Sequence, residues 1–404
     1  MRILVVADVY PPEVSSAANL MHELALGFSA RGHEVTVVTS YPRHYLSEAA
    51  KGREFKEYEK EEGISVIRVK VLPHHKVNFI MRGISQLTLS HLFFKKVKKY
   101  VSNLDAVVVY SPPLPLGLLG GMVKHEYGAK FLLNIQDIFP QNAIDLGILK
   151  SRFVIQFFEH LEKKIYKLAD VITFHSEGGR KFLIEKKNVS ARKIVMVPNW
   201  VDIAAYEASA GARLFRREWG LEDKFVFLFA GIFGPAQGLE FILDVARELK
   251  DMKDAVFLLV GDGMAKEKIE ARVNELHLTN VVIKPFVSQE EYAALVSESD
   301  VGLACLSMKN KTSFVPGKLL GYMAAAKPVL AFLNKESDGF HVIEEAACGY
   351  ATTSDDVARA AHLARTMYEE KDMLKTMGAR GLQYAKEHLS RDVVVQKIEV
   401  LLQK

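Results

Sequence analysis

Two tandem doubly wound α/β domains are what this sequence predicts, on three observations. Short β-branched runs alternate with longer helical patterns almost throughout, which argues for parallel sheets with crossover helices. The runs fall into two series, each opening on a strand and a turn of small residues. The length of 404 residues is too great for one typical core and divides naturally into two domains of about 200.

In the first series, strands are expected at 3–7, 35–39, 66–71, 106–110, 131–135, 171–174 and 194–197. Their near-continuous apolar character is that of strands covered on both faces. The second series is expected at 225–230, 256–260, 281–284, 301–305 and 329–331. Between them, 202–222 is polar and strand-free and follows Asn199-Trp200-Val201-Asp202, so the boundary is placed there. The domains then read 1–202 and 203–388, with the terminal stretch 389–404 free to form a helix that packs back on the first.

Composition removes several function classes. Apolar content of 49% and charge of 25% are those of an ordinary folded protein. The two cysteines, Cys305 and Cys348, have no disulfide or metal-ligand spacing, which fits a reducing cytoplasm. His74, His75, His91, His160 and His175 are scattered and show no metal pattern either, so no metal and no cofactor are expected. Met1-Arg2 leads directly into Ile3-Leu4-Val5-Val6-Ala7, too short for a signal peptide. A net charge of +4 decides nothing alone, and no stacking-module motif points to nucleic acid.

Four segments carry candidate chemistry. The turn after the first strand contains Tyr10, Pro11, Glu13, Ser15 and Ser16, small and polar residues that admit a sugar or phosphate to the backbone. It lacks the G-x-G-x-x-G fingerprint, so a dinucleotide site is unsupported. Next, the apolar run ending Asn134-Ile135-Gln136-Asp137-Ile138-Phe139-Pro140 delivers Asp137 to a strand's carboxyl end. Such a carboxylate can orient a hydroxyl or stabilise a cationic transition state, and can equally be a turn or helix-capping residue. The second domain opens on Gly231, Gly234, Gln237 and Gly238, a turn able to cradle a diphosphate, and Gly261 and Phe286 stand on later strand-end loops. Last, Pro316-Gly317-Lys318-Leu319 begins a short helix with a fixed positive charge.

Taken together, these segments resemble GT-B glycosyltransferases of family 4, over essentially the whole chain. The Gln136–Pro140 run is similar to that of the subgroup transferring N-acetyl-L-fucosamine and related sugars in O-antigen or capsule assembly. The resemblance implies a GT-B fold, two Rossmann-like domains facing an interdomain cleft, and a retaining, metal-independent hexosyltransferase. The donor would be a nucleotide sugar, UDP-linked and possibly an N-acetylamino sugar, and the acceptor a saccharide or lipid-linked oligosaccharide. Asp137 and Lys318 would be the catalytic pair. Gly231, Gly234, Gln237, Gly238, Gly261, Phe286, Pro316, Gly317, Lys318 and Leu319 would hold the donor. Tyr10, Pro11, Glu13, Ser15 and Ser16 would lie on the acceptor side. The chain departs from the family at Gly321, where a ribose-binding Glu is usual, at Ser313, where another Glu often stands, and at Ser15 and Ser16, where glycines are usual.

One more stretch stands out. Residues 79–101 read as a helix with two apolar faces, one of Ile80, Ile84, Leu87, Phe94 and Val101, the other of Leu89, Phe93 and Tyr100. With Lys95, Lys96, Lys98 and Lys99 this suits an anionic membrane surface, and equally a buried crossover helix. On the first reading Leu89, Phe93, Lys95, Lys96 and Lys99 contact the membrane, and the protein sits at the inner face of the cell membrane. Two alternatives to a working transferase stay open, a GT-B scaffold whose donor site has decayed and a sugar-nucleotide epimerase on the same fold.

Overall fold

The computed structural model describes residues 1–13, 15–42, 46, 52–72, 79–211 and 213–403, with backbone alone for 79–84 and 289–290. The chain forms two compact units, Met1–Asn199 with Arg391–Lys404, and Trp200–Ser390.

The first unit is built on an eight-stranded sheet. Its strands are β1 (Arg2–Val6), β2 (Glu34–Ser40), β3 (Tyr58–Glu61), β4 (Ile64–Val69), β5 (Ala106–Ser111), β6 (Lys130–Ile135), β7 (Val171–Phe174) and β8 (Ile194–Met196), ordered β3-β4-β2-β1-β5-β6-β7-β8. All neighbours run parallel except β3 and β4. Every residue of β5 is buried, because helices cover both faces of a parallel sheet. The β3–β4 edge is tied down by Arg68, fully buried, whose guanidinium meets Glu59, Glu61 at 2.9 Å and the Pro11 carbonyl at 3.3 Å. An ion pair this enclosed holds only when its charges are matched, so Arg68 fixes both the hairpin and the turn after β1.

Helix Arg391–Gln403 belongs to this unit and lies on helix Ser16–Ala30. Gly27 makes the close approach possible, since a methyl group there would sit 2.6 Å from Val395 Cγ2. Glu399 seals the contact, accepting from Arg31 Nε at 2.6 Å and meeting His33 Nε2 at 2.8 Å.

The second unit has six parallel strands: β9 (Phe225–Ala230), β10 (Ala255–Val260), β11 (Val281–Lys284), β12 (Val301–Cys305), β13 (Val329–Leu333) and β14 (Gly349–Thr353). Their order is β11-β10-β9-β12-β13-β14, with separate apolar cores on its two faces. Strand order reverses between β9 and β12, and open sheets of this kind bind ligands beyond the strand carboxyl ends at such a point.

The membrane reading of helix Phe79–Tyr100 is corrected by its packing. Leu89 and Phe93 are fully buried in the first unit's core with Val97, so neither can enter a bilayer. The lysines are engaged too: Lys96 and Lys99 bond Glu57 at 2.5 and 2.9 Å, Lys98 pairs with Glu126, and Lys95 is exposed. Of the residues expected on the membrane face, Leu89 and Phe93 belong to the crossover face, covering the sheet beside helix Leu116–Tyr127, while Lys95 and Lys99 are exposed. A crossover helix needs an apolar face of its own, and sequence alone does not say which face that is. No helix among the described residues is long and apolar enough to cross a membrane.

Candidate functional site

Lys318 stands at the start of helix Lys318–Ala324, which follows β12 on the second unit's switch point. Its side chain runs back over the turn that follows β9. Nζ donates to Gln237 Oε1 at 3.3 Å and lies 4.5 Å from the centre of the Phe229 ring. Gly231, with φ of +147°, makes room: a methyl group there would come within 2.8 Å of Lys318 Cε and 2.9 Å of Nζ. Among the described residues no carboxylate pairs with this ammonium. Burial therefore lowers its pKa to about 8, although the half-buried residue keeps some water contact. A cation partly stripped of water and given only a neutral amide and an aromatic face is set up to receive an anion.

The turn itself is braced from beneath. The Ala236 carbonyl accepts from Ser307 N at 2.9 Å and Asn310 Nδ2 at 3.0 Å, and Gly238 lies so close to the Ser307 backbone that a methyl group would meet its Cα at 3.0 Å. Gly261, with φ of +156°, packs directly on the Gly231 carbonyl, so its glycine is demanded by that contact. Gly234 and Gly317 are open to solvent on at least one side, and Phe286 stands 37% exposed after β11. Pro316 is buried against Gly339.

Two expectations change here. Leu319 is a core residue, and its amide is already bonded to the Pro316 carbonyl at 3.1 Å, so it offers a ligand nothing. Helix Lys318–Ala324 is only seven residues long, which leaves the positive charge to Lys318 more than to a helix dipole. Gly321, where a carboxylate was expected, has a physical reason. A methyl group there would sit 2.8 Å from the Tyr206 hydroxyl, carried by helix Ile203–Ala208, and 3.7 Å from the Tyr292 ring. The tyrosine fills the space a side chain at 321 would need.

In the first unit, Asp137 leaves the carboxyl end of β6 with its side chain exposed. Surrounding protein pushes its carboxyl pKa above the ordinary aspartate value, a push that solvent moderates. Among the described residues nothing bonds the carboxylate, so the capping alternative fails. What holds it in place is Gln136. This side chain exchanges two hydrogen bonds with Asn199, at 2.8 and 2.7 Å, and donates to Asn134 Oδ1 at 2.7 Å, while Asn134 donates to Thr173 Oγ1 at 3.1 Å. The Gln136 carbonyl lies 3.2 Å from His175 Nε2. Sequence reading assigned no role to Asn199, Thr173 or His175; the signal was Asn134 inside an otherwise apolar strand and Gln136 just past its end.

The acceptor-side turn is more structural than expected. Ser15 caps helix Ser16–Ala30 by accepting from Ala18 N at 3.1 Å, and Ser16 is exposed. Tyr10 is 2% exposed with its ring edge on His22, and its hydroxyl has no partner among the described residues. Glu13 is buried and its backbone bridges to Leu46, while Pro11 is held by Arg68. Val14, His74 and His75 lie outside the described residues, as do the side chains of Ile80 and Ile84.

Two Rossmann-like units in tandem, each with its candidate residues at or beyond the strand carboxyl ends, have the architecture of the GT-B fold. More particularly, residues 17–200 match the Glycosyl transferase 4-like domain family and residues 224–370 the Glycosyl transferases group 1 family, which supports a glycosyltransferase. It is 26% identical over 333 residues to the putative colanic acid biosynthesis glycosyl transferase WcaI of Escherichia coli, covering 80% of this chain and 81% of that one. It is also 26% identical to the probable glycosyltransferase WbjE of Pseudomonas aeruginosa, over 72% of each chain. In fold it matches Anabaena HepE, solved in complex with UDP, at TM-score 0.73 and 15% identity over the full length of both chains. It also matches WaaG, a glycosyltransferase involved in lipopolysaccharide biosynthesis, at 0.71 and 14% over 99% of each.

Proposed function

We propose that the protein is a retaining transferase moving a sugar from a UDP-linked donor to a saccharide or lipid-linked acceptor in cell-surface glycan synthesis. The observation that carries this reading is the Lys318 ammonium, half-buried over the Gly231 turn without a carboxylate partner. A diphosphate supplies the missing negative charge, and a charge-assisted contact of this kind is worth roughly 1.5–3 kcal/mol. The same contact grows as the sugar bond breaks, because negative charge then accumulates on the departing phosphate. In a front-face displacement that phosphate also takes the acceptor proton, so no second protein base is needed. Asp137, held by the Gln136 amide ladder, is assigned to the sugar end, orienting the acceptor or supporting the developing positive charge. The naming of one relative for colanic acid and of a structural neighbour for UDP supports the donor and product classes.

The test is Asp137→Ala with UDP-sugars and an extracted glycolipid acceptor pool. Transfer falls by at least a hundredfold while UDP affinity stays within twofold of the unaltered protein. Full transfer by the variant removes Asp137 from the chemistry. One observation favours a second reading, a scaffold without donor chemistry: the Tyr206 hydroxyl occupies the space beside Gly321. Failure of both UDP and GDP to bind at millimolar concentration would favour that reading instead.

A further inference from the structure

Strands β5, β6 and β7 carry a row of polar side chains toward their carboxyl ends. In the parallel register Tyr110 pairs with Asn134 and Asn134 with Thr173, so the three share one face of the sheet. Asn134 donates to Thr173, and the Gln136 amide closes the row against Asn134 and Asn199. Tyr110 is the exception. It is 9% exposed, and among the described residues its hydroxyl has no hydrogen-bond partner. A buried phenol ordinarily finds one, because an unpaired hydroxyl forfeits the bonds that water would supply. The unpartnered Tyr10 hydroxyl is sealed inside the protein, whereas that of Tyr110 still reaches solvent. The other unbonded group on this rim is Asp137, two residues past the end of β6. Its charge is felt at the phenol: burial raises the Tyr110 pKa well above that of an ordinary tyrosine, and the Asp137 carboxylate raises it further. Yet the two do not bond each other. A donor and an acceptor therefore face a common gap, within electrostatic reach and each without a protein partner. Packing accounts for the ring but not for the hydroxyl, since phenylalanine fills the same space without stranding a polar atom.

We infer that Tyr110 is a further substrate-binding residue, its hydroxyl and the Asp137 carboxylate together gripping one non-reacting hydroxyl of the acceptor saccharide. A sugar hydroxyl accepts from the phenol and donates to the carboxylate, which satisfies both groups at once. A ring position that lacks the hydroxyl leaves both unpaired, so the pair selects against acceptors that are deoxygenated there. This deepens the proposed function and rests on its assignment of Asp137 to the sugar end, in the acceptor-orienting role.

The experiment is equilibrium dialysis of the full chain against the saccharides released by mild acid from the extracted glycolipid pool, with thermal melting and UDP calorimetry on the same samples. Tyr110→Phe weakens saccharide binding about tenfold and leaves UDP affinity unchanged. Its melting temperature stays the same or rises, because the hydroxyl has no protein partner to lose. In transfer assays with the glycolipid pool the acceptor KM rises while kcat changes little, as for a contact made equally before and during reaction. With Asp137→Asn already in place, the same substitution has less than about a twofold further effect, since a hydroxyl released at one end is no longer held at the other. Full saccharide affinity in Tyr110→Phe, independent losses in the double variant, a lowered melting temperature, or no saccharide binding by the unaltered protein would overturn the inference. Because UDP is measured on the same samples, failure at Tyr110 alone leaves the donor reading standing, and failure of UDP to bind counts against that reading by itself.

Discussion

Gly321 gives the sharpest quantitative test of how the donor unit is built. Glycine inside a helix costs about 1 kcal/mol relative to alanine, so Gly321→Ala alone would ordinarily stabilise the protein by that amount. Here the added methyl group meets the Tyr206 hydroxyl at 2.8 Å, well inside van der Waals contact, and the tyrosine must shift. The next atoms, Tyr206 Cζ at 3.5 Å and Tyr292 Cε1 at 3.7 Å, are ordinary neighbours. Tyr206→Phe removes the single offending atom. Gly321→Ala is therefore near neutral in the natural background, within about 0.5 kcal/mol, and stabilising by about 1 kcal/mol in Tyr206→Phe. The assay is a double-mutant cycle by urea unfolding, following the second unit through Trp219 fluorescence. A coupling energy of roughly 0.5–1.5 kcal/mol is expected. An equal gain from the alanine in both backgrounds would refute the reasoning, since Tyr206 would then have nothing to do with the glycine.

Two further outcomes follow from the site geometry. Asn199→Ala removes both hydrogen bonds to the Gln136 amide, at about 1–3 kcal/mol for buried groups left unpaired, and frees the loop that carries Asp137. Steady-state kinetics should show turnover reduced at least tenfold with UDP affinity unchanged. For pH, the Lys318 pKa lies near 8 in the free protein, below its unfolded value of 10.5, so between these values the unfolded chain holds more protons and Lys318 makes stability rise with pH. Ligand binding runs the other way. UDP needs the ammonium, so its affinity, measured by calorimetry, falls as pH rises through about 8.

Much of this architecture is legible in the sequence because parallel strands buried on both faces leave unbroken apolar runs. The runs at 171–174, 225–230, 281–284 and 301–305 coincide with β7, β9, β11 and β12. Two strands escape that signal for a physical reason. β3, Tyr58-Glu59-Lys60-Glu61, is a charged antiparallel edge that exists because Arg68 needs its carboxylates, and β14, Gly349–Thr353, is a half-buried edge of mixed polarity. Lys318 and its glycine turn were readable because a lysine after Pro-Gly and a glycine cluster after a strand each have local meaning. Tyr206 and Asn199 were not, since each acts on a residue more than 60 positions away, on another element. Leu89 and Phe93 show the converse: a helix with two apolar faces tells which residues are greasy and leaves open which face the core takes.

The central claim is that the Lys318 ammonium over the Gly231 turn receives a nucleotide diphosphate. Isothermal calorimetry with UDP and with uridine at pH 7, on the unaltered protein and on Lys318→Ala, tests it most directly. UDP should bind at least tenfold more tightly than uridine, and the alanine variant should lose that margin while its uridine affinity is unchanged. A Lys318→Ala variant that keeps the full preference for UDP would contradict it.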